Sequence, residues 1–194
     1  MTPSLDPVLH LLVRAGLAVL FVSAATHKLA DVSAFRASLA AYELVPGPVG
    51  RILSVLIPAC EVTVAVALLL AGSSPLPSLA AAGLLFVYTA AIAINLLRGR
   101  RDIDCGCGGP TRRQPLGVGL VARNTVLLSA AIVSALPAAS RQWIWIDGLT
   151  LVGGLAVSFL LYQAVEVLLA GAVPVTRHHR PADEQVLSFE VRNA

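Results

Sequence analysis

"RILSVLIPACEVTVAVALLLA", residues 51–71, holds one charged residue, Glu61, after its opening arginine. A helix rises about 1.5 Å per residue, so about 20 residues cross the roughly 30 Å hydrocarbon core of a bilayer. Unbonded N–H and C=O groups are intolerable in that core, so a stretch this apolar has to be a helix. Four further stretches read the same way: 8–29, 76–97, 117–136 and 143–170. The alternating segments of about ten residues that a membrane β-barrel needs are absent. The expected fold is all-α: a polytopic membrane protein, with a four-helix transmembrane bundle plus a fifth transmembrane helix. It forms one integral membrane domain over residues 1–174, followed by a polar flexible tail over 175–194.

The composition agrees. Of the 194 residues 57% are hydrophobic and 13% charged, where a soluble domain carries about 25% charged residues. The net charge is only +3, and no basic face is interleaved with aromatics, which excludes nucleic acid as a partner. The partner implied by composition is the lipid bilayer. No positively charged leader precedes the first apolar run, so no cleaved signal peptide is expected.

The connectors differ in character. "ADVSAFRASLAAYELVPGPVG", residues 30–50, is amphipathic. Phe35, Leu39, Tyr42 and Leu44 would lie on the membrane surface, with Arg36 and Glu43 in water. "GSSPLPS", residues 72–78, is a tight uncharged turn. The third connector holds Arg98, Arg100, Arg101, Arg112 and Arg113. With five crossings it shares a side with residues 30–50 and with the tail, which adds Arg177, Arg180 and Arg192. The opposite side offers little beyond Arg141. Basic residues mark the cytoplasmic side, so this count puts the N-terminus outside and the C-terminus and third connector inside.

That connector, "RDIDCGCGGPTRRQ" (101–114), contains two of the three cysteines, Cys105 and Cys107, on either side of Gly106. Cα atoms two residues apart lie about 5.5–7 Å from each other, overlapping the disulfide range of about 4.4–6.8 Å. A ring so small is strained, and strained disulfides are the labile, oxidising ones. Glycine supplies the backbone freedom such a ring demands. Nearby arginines favour thiolate, while Asp102 and Asp104 oppose it. The chemistry that suits the pair is thiol–disulfide exchange. Two other readings stay open: a structural loop with two free thiols, or a metal site. The latter needs about four ligands, so His178 and His179 would have to join, and no metal is expected. Cys60, mid-helix beside Pro58, reads either as a small buried hydrophobe or as a third thiol able to relay with the pair.

Several polar residues fall at membrane depth. Glu61 is the costliest and requires a partner or a proton. Arg14 and Arg123 are candidate partners. His27, Lys28, Asn95, Arg123 and Asn124 fall near the face that carries Cys105 and Cys107. Lys28, Glu61, Asn95, Arg123 and Asn124 are therefore expected to form a polar pocket beneath the C-x-C connector. The competing reading is inter-helix glue with snorkelling basic ends.

These residues carry a resemblance. "RAGLAVLFVSAATHKLAD", "FRASLAAYELVP", "PACE" and "LLRGRRDIDCGCGG" followed by "LVARN" resemble the MauE/DoxX family of redox-associated bacterial membrane proteins, over residues 10–136. Phe often follows the second cysteine there; here it is Gly108. The resemblance implies a location in the bacterial inner membrane and a part in methylamine utilisation, in maturation of a periplasmic, disulfide-rich methylamine dehydrogenase. It also implies thiols outside, opposite to the charge count, which is retained. The expected function is a membrane thiol–disulfide redox protein. Cys105 and Cys107 would pass electrons between a thioredoxin-like partner and a membrane acceptor, a quinone held between helices or Cys60. The alternative is a non-catalytic membrane subunit or assembly factor of a larger complex, joined through small-residue stretches such as "AAAGLL" and "GGLAVS".

Overall fold

Pro7, with its fixed φ and missing N–H, opens the first helix under an Asp6 cap whose carboxylate accepts from the Val8 N–H at 2.8 Å. The computed structural model describes residues 4–101, 103 and 116–171, with side chains through Leu168. Cys105, Cys107 and the 175–194 tail lie outside the described residues. Among the described residues the order is α1 (Pro7–Ala30), α2 (Val32–Ala41), α3 (Gly47–Leu70), α4 (Leu76–Leu97), α5 (Val118–Val133) and α6 (Trp145–Gly171). α1, α3, α4 and α6 are long and apolar enough to cross a membrane, and α5 is a shorter apolar helix.

The helices alternate in direction, so each end of the bundle collects a defined set of termini. The N-terminus, the α3–α4 turn and the α5–α6 connector share one end, hereafter the turn end. There the Leu5 N–H donates to the Pro137 carbonyl at 2.9 Å, and the Ala139 N–H donates to the Leu5 carbonyl at 2.7 Å. The other end, the connector end, carries α2 and the roots of the C-x-C connector. Those roots are pinned: the Leu116 N–H donates to the carbonyls of Arg101 and Ile103, each at 3.1 Å.

Residue types are distributed inside-out relative to a water-soluble protein. Large apolar side chains face outward, such as Ile52, Val55, Leu70, Phe86, Val126 and Leu160. Arg14, Lys28, Glu61, Ser78, Asn95 and Asn124 are buried. In water such a surface would be a continuous apolar patch far beyond what monomers tolerate; in lipid it is the expected exterior. The interior packs Leu17, Ala18 and Phe21 of α1 with Ala65 and Leu68 of α3, Ala81, Ala82 and Leu85 of α4, and Ala131 of α5. Alanines let the backbones approach, which is how helices associate without a hydrophobic driving force. The "AAAGLL" stretch supplies two of them.

α6 stands outside this core, against α1. A Cβ on Gly154 would come within 3.0 Å of the Leu12 side chain, so Gly154 sets that close approach. Gly154→Leu overpacks the contact and is expected to cost about 1–3 kcal/mol. The measurement is the melting temperature in a single detergent; an unchanged value would mean α6 is not seated on α1.

Three local expectations need correction. α3 begins at Gly47 rather than residue 51, because Pro46 and Pro48 start it early. α5 spans 118–133, ending short of residue 136, because the following residues leave the helix and bond Leu5 instead. Residues 30–50 do not simply lie on the membrane surface. Asp31 ends α1 and caps α2, accepting from the Ala34 N–H at 2.9 Å, which holds its carboxyl below the usual range. α2 then turns Phe35 inward, and Tyr42 is buried with Ile92, Leu116 and Leu120.

At the turn end, Arg141 bridges Asp6, 2.8 Å away, and Asp147, also 2.8 Å away. The Asp147 carboxylate also accepts from the Ile144 N–H at 2.9 Å, the return half of a capping box for α6. The Arg141 guanidinium, then the Val8 N–H, hold the Asp6 carboxyl below 3.8, and Arg141 is pushed above its usual value. A depressed carboxyl stabilises the fold above its unfolded pKa, and the gain is lost as pH falls through the folded value. Any stability advantage of wild type over Asp6→Asn is therefore expected at neutral pH and should vanish in acid below 3.8. Parallel thermal melts across pH check this. An advantage that persists in acid contradicts the assignment.

Candidate functional site

The site begins with the direction in which side chains leave a helix. Cα–Cβ bonds tilt toward the helix N-terminus. α1 ends at the connector end, so Lys28, two residues from its C-terminus, leans inward toward the bilayer centre. α3 runs the other way, so Glu61, about 20 Å from its start, leans back toward the connector end. The two meet: Lys28 Nζ donates to Glu61 Oε1, with both side chains buried. Tyr88 Oη on α4 donates to the same oxygen at 2.7 Å. The Lys28 ammonium lies 5.5 Å from the Phe35 ring centroid and 5.1 Å from that of Tyr88, the geometry of cation–π contacts. Glu61 Oε2 is buried and has no hydrogen-bond partner among the described residues.

Neither sequence-level partner reaches Glu61. Arg14 leans toward the turn end, away from it. Its guanidinium donates to the carbonyls of Leu68 at 2.9 Å and of Gly72, and spans Ser74 and Ala67 at 3.3 and 3.4 Å. It thus caps the C-terminus of α3, where Gly72 takes the left-handed φ of +54°. Arg123 pairs instead with Glu166 of α6, donates to Asn124 Oδ1 at 3.1 Å, and stacks 5.7 Å from the Tyr162 ring centroid.

Both ion pairs line one cavity of about 220 Å³. Lys28, Glu61, Arg123 and Asn124 share it with Tyr88, Tyr162, Gln163 and Glu166. Asn95 does not line it. It is buried two turns beyond Tyr88, near the root of the C-x-C connector; its Nδ2 donates to the Ala91 carbonyl at 3.1 Å, and its Oδ1 has no partner among the described residues. Cys60 is half-buried beside Glu61 in sequence and is also absent from the lining. Among the described residues no three His, Cys, Asp or Glu side chains cluster as metal ligands.

Sequence reasoning missed Glu166, Tyr88, Tyr162 and Gln163. Glu166 left a signal, a lone carboxylate within an apolar run at the depth of Arg123. The tyrosines left none, because an aromatic in a membrane helix reads equally well as lipid-facing.

A family model described as methylamine utilisation protein MauE matches residues 6–137, well over half of the chain. The chain belongs to the MauE family. Curated relatives named methylamine utilization protein MauE agree. That of Paracoccus denitrificans is 37% identical over 166 residues, covering 84% of this chain and 89% of the relative. That of Paracoccus versutus is 37% identical over 174 residues, with 89% and 92% coverage. That of Methylophilus methylotrophus is 30% identical over 175 residues, with 89% and 91% coverage. No solved structure matches. Within this MauE-family chain, Lys28, Glu61, Tyr88, Arg123 and Asn124 fall inside the family match, whereas Tyr162, Gln163 and Glu166 of α6 lie beyond it.

Proposed function

We propose that this MauE-family membrane protein is a thiol–disulfide redox protein acting in methylamine utilisation, with Cys105 and Cys107 as the working pair. A thiolate of a thioredoxin-like partner attacks the Cys105–Cys107 disulfide and forms a mixed disulfide. The partner's second thiol resolves it, leaving the partner oxidised and the pair as a dithiol. The dithiol then closes again, and its two electrons and two protons pass to a quinone in the bilayer.

The observation that carries this reading is the position of the connector's roots. Arg101, Ile103 and Leu116 tie the two ends of the C-x-C segment together at the connector end, the end from which Lys28, Arg123 and Glu166 reach the polar cavity. Arg100 adds an ion pair to Glu43 at 2.7 Å, holding the root against the α2–α3 connection. For orientation, Lys28 is buried in its ion pair, and the basic residues outside the core at the connector end are Arg36, Arg51, Arg98, Arg100 and Arg101. That bias supports a cytoplasmic connector in the inner membrane.

The test is a set of cysteine variants in a strain dependent on methylamine. Cys105→Ser and Cys107→Ser are each expected to abolish growth on methylamine, while Cys60→Ser retains it. Mass-tag alkylation of wild type should reveal a reducible Cys105–Cys107 bond, and impermeant reagents should reach the thiols only from the cytoplasmic side. Full growth of the double variant would leave the chain as a non-catalytic subunit or assembly factor.

A further inference from the structure

The polar cavity does not end at its charged residues. A second, apolar groove of about 650 Å³ runs between α1, α5 and α6 toward the turn end. Leu20, Ser23, Leu127, Tyr162 and Gln163 line both, so the two form one cleft. Its apolar limb descends past Leu12, Gly16, Leu155 and Phe159. On α1 it covers Leu9 to Ser23, about 21 Å of helix. A polar chamber opening into a long apolar trough at membrane depth has the shape of an amphiphile with one compact head and one chain.

The chamber's electrostatics select the head. Lys28 and Glu61 cancel, and so do Arg123 and Glu166, so the lining carries no net charge. A phosphate would bring unbalanced negative charge against the bare Oε2 of Glu61. A neutral head whose hydroxyl donates to that oxygen would satisfy it, and buried polar atoms ordinarily have such a partner. Size and walls point the same way. A cavity of about 150 Å³ accepts a benzene ring, and this one, at about 220 Å³, has room for a ring bearing oxygens. Phe21, Tyr88 and Tyr162 line it, and aromatic walls favour an aromatic guest.

We infer that the α1–α5–α6 cleft is a binding site for an isoprenoid quinol, with the ring in the chamber, one hydroxyl donating to Glu61 Oε2, and the chain along the groove. This deepens the proposed function by placing the quinol into which its quinone acceptor is reduced, and it rests on that reading only for its physiological purpose. Binding stands or falls independently of the cysteines.

The full chain in lipid nanodiscs is titrated with decyl-ubiquinol and photolabelled with an azido-ubiquinone. Saturable binding is expected, with labelling confined to peptides bearing the lining residues of α1, α4, α5 and α6 and Glu61 of α3, and competed by decyl-ubiquinol but not by phosphatidylglycerol. Ala156→Phe fills the groove from a lipid-exposed position, so folding should survive while affinity falls at least tenfold. The C105S/C107S variant should bind as wild type does. Dispersed labelling, equal competition by phosphatidylglycerol, or a stable Ala156→Phe protein with unchanged affinity would overturn the inference. Were binding absent while the thiol pair still cycled, the proposed function would survive with another acceptor. Were binding present in a protein whose cysteines proved dispensable, the cleft would stand without it.

Discussion

Glu61→Gln is expected to destabilise the bundle by about 3–5 kcal/mol, the cost of removing one partner of a buried ion pair. Gln keeps an oxygen for the Tyr88 hydroxyl but leaves the Lys28 ammonium buried and uncompensated. The Phe35 and Tyr88 rings beside it recover only a fraction, since a cation–π contact contributes about 0.5–2 kcal/mol. In a chain of this size each kcal/mol shifts the melting temperature by about 2–4 °C, so the loss should be plain in detergent melts. The double variant Lys28→Met/Glu61→Gln removes both charges and should recover most of it, because an apolar replacement of a buried pair is often neutral. It should still fail to bind decyl-ubiquinol with wild-type affinity, separating stability from site chemistry. Single and double variants equally stable, and both close to wild type, would mean that the pair carries no such penalty.

Arg14→Ala should cost about 3 kcal/mol, through a different mechanism. The guanidinium closes the C-terminal carbonyls of α3 and the α3–α4 turn from inside the bundle, with 1% of the residue exposed. Without it the buried Leu68 carbonyl at the end of the span and the Gly72 carbonyl in the turn both lose their partner, and a buried unsatisfied group costs about 1–3 kcal/mol. Arg14→Lys should rescue little, because an ammonium is a point charge and cannot span the fork-like set of acceptors. The readouts are the melting temperature and proteolysis at residues 72–75, which should accelerate as the turn loosens. Full rescue by lysine would show that charge alone, not the shape of the guanidinium, holds the turn.

Much of the fold was legible because lipid leaves a chain few options. Each apolar run of about 20 residues must be a helix, and α4 matches its sequence bounds while α1 and α6 differ by one or two residues. Ends set by proline pairs or by bonds to distant strands of backbone, as at α3 and α5, were less legible, since those signals sit outside the apolar run. The polar residues at depth were equally legible as a set. Lys28, Glu61, Arg123 and Asn124 stand out against a background of Leu, Ala and Val because a charge there is costly and must be accommodated.

What the sequence determined by itself is the class of molecule: a helical membrane protein with charges buried at depth and a C-x-C pair in a basic connector. Which charges meet was decided only in three dimensions. Glu61 found Lys28 rather than Arg14 or Arg123 because side chains lean toward their own helix N-terminus, and only antiparallel neighbours at matching depth lean toward each other. Arg123 was claimed by Glu166 from α6, a helix whose place beside α1 depends on the contact of Gly154 with Leu12. The cleft has the same origin. Its polar chamber and apolar groove are assembled from separate helices, and no single stretch of chain carries the shape.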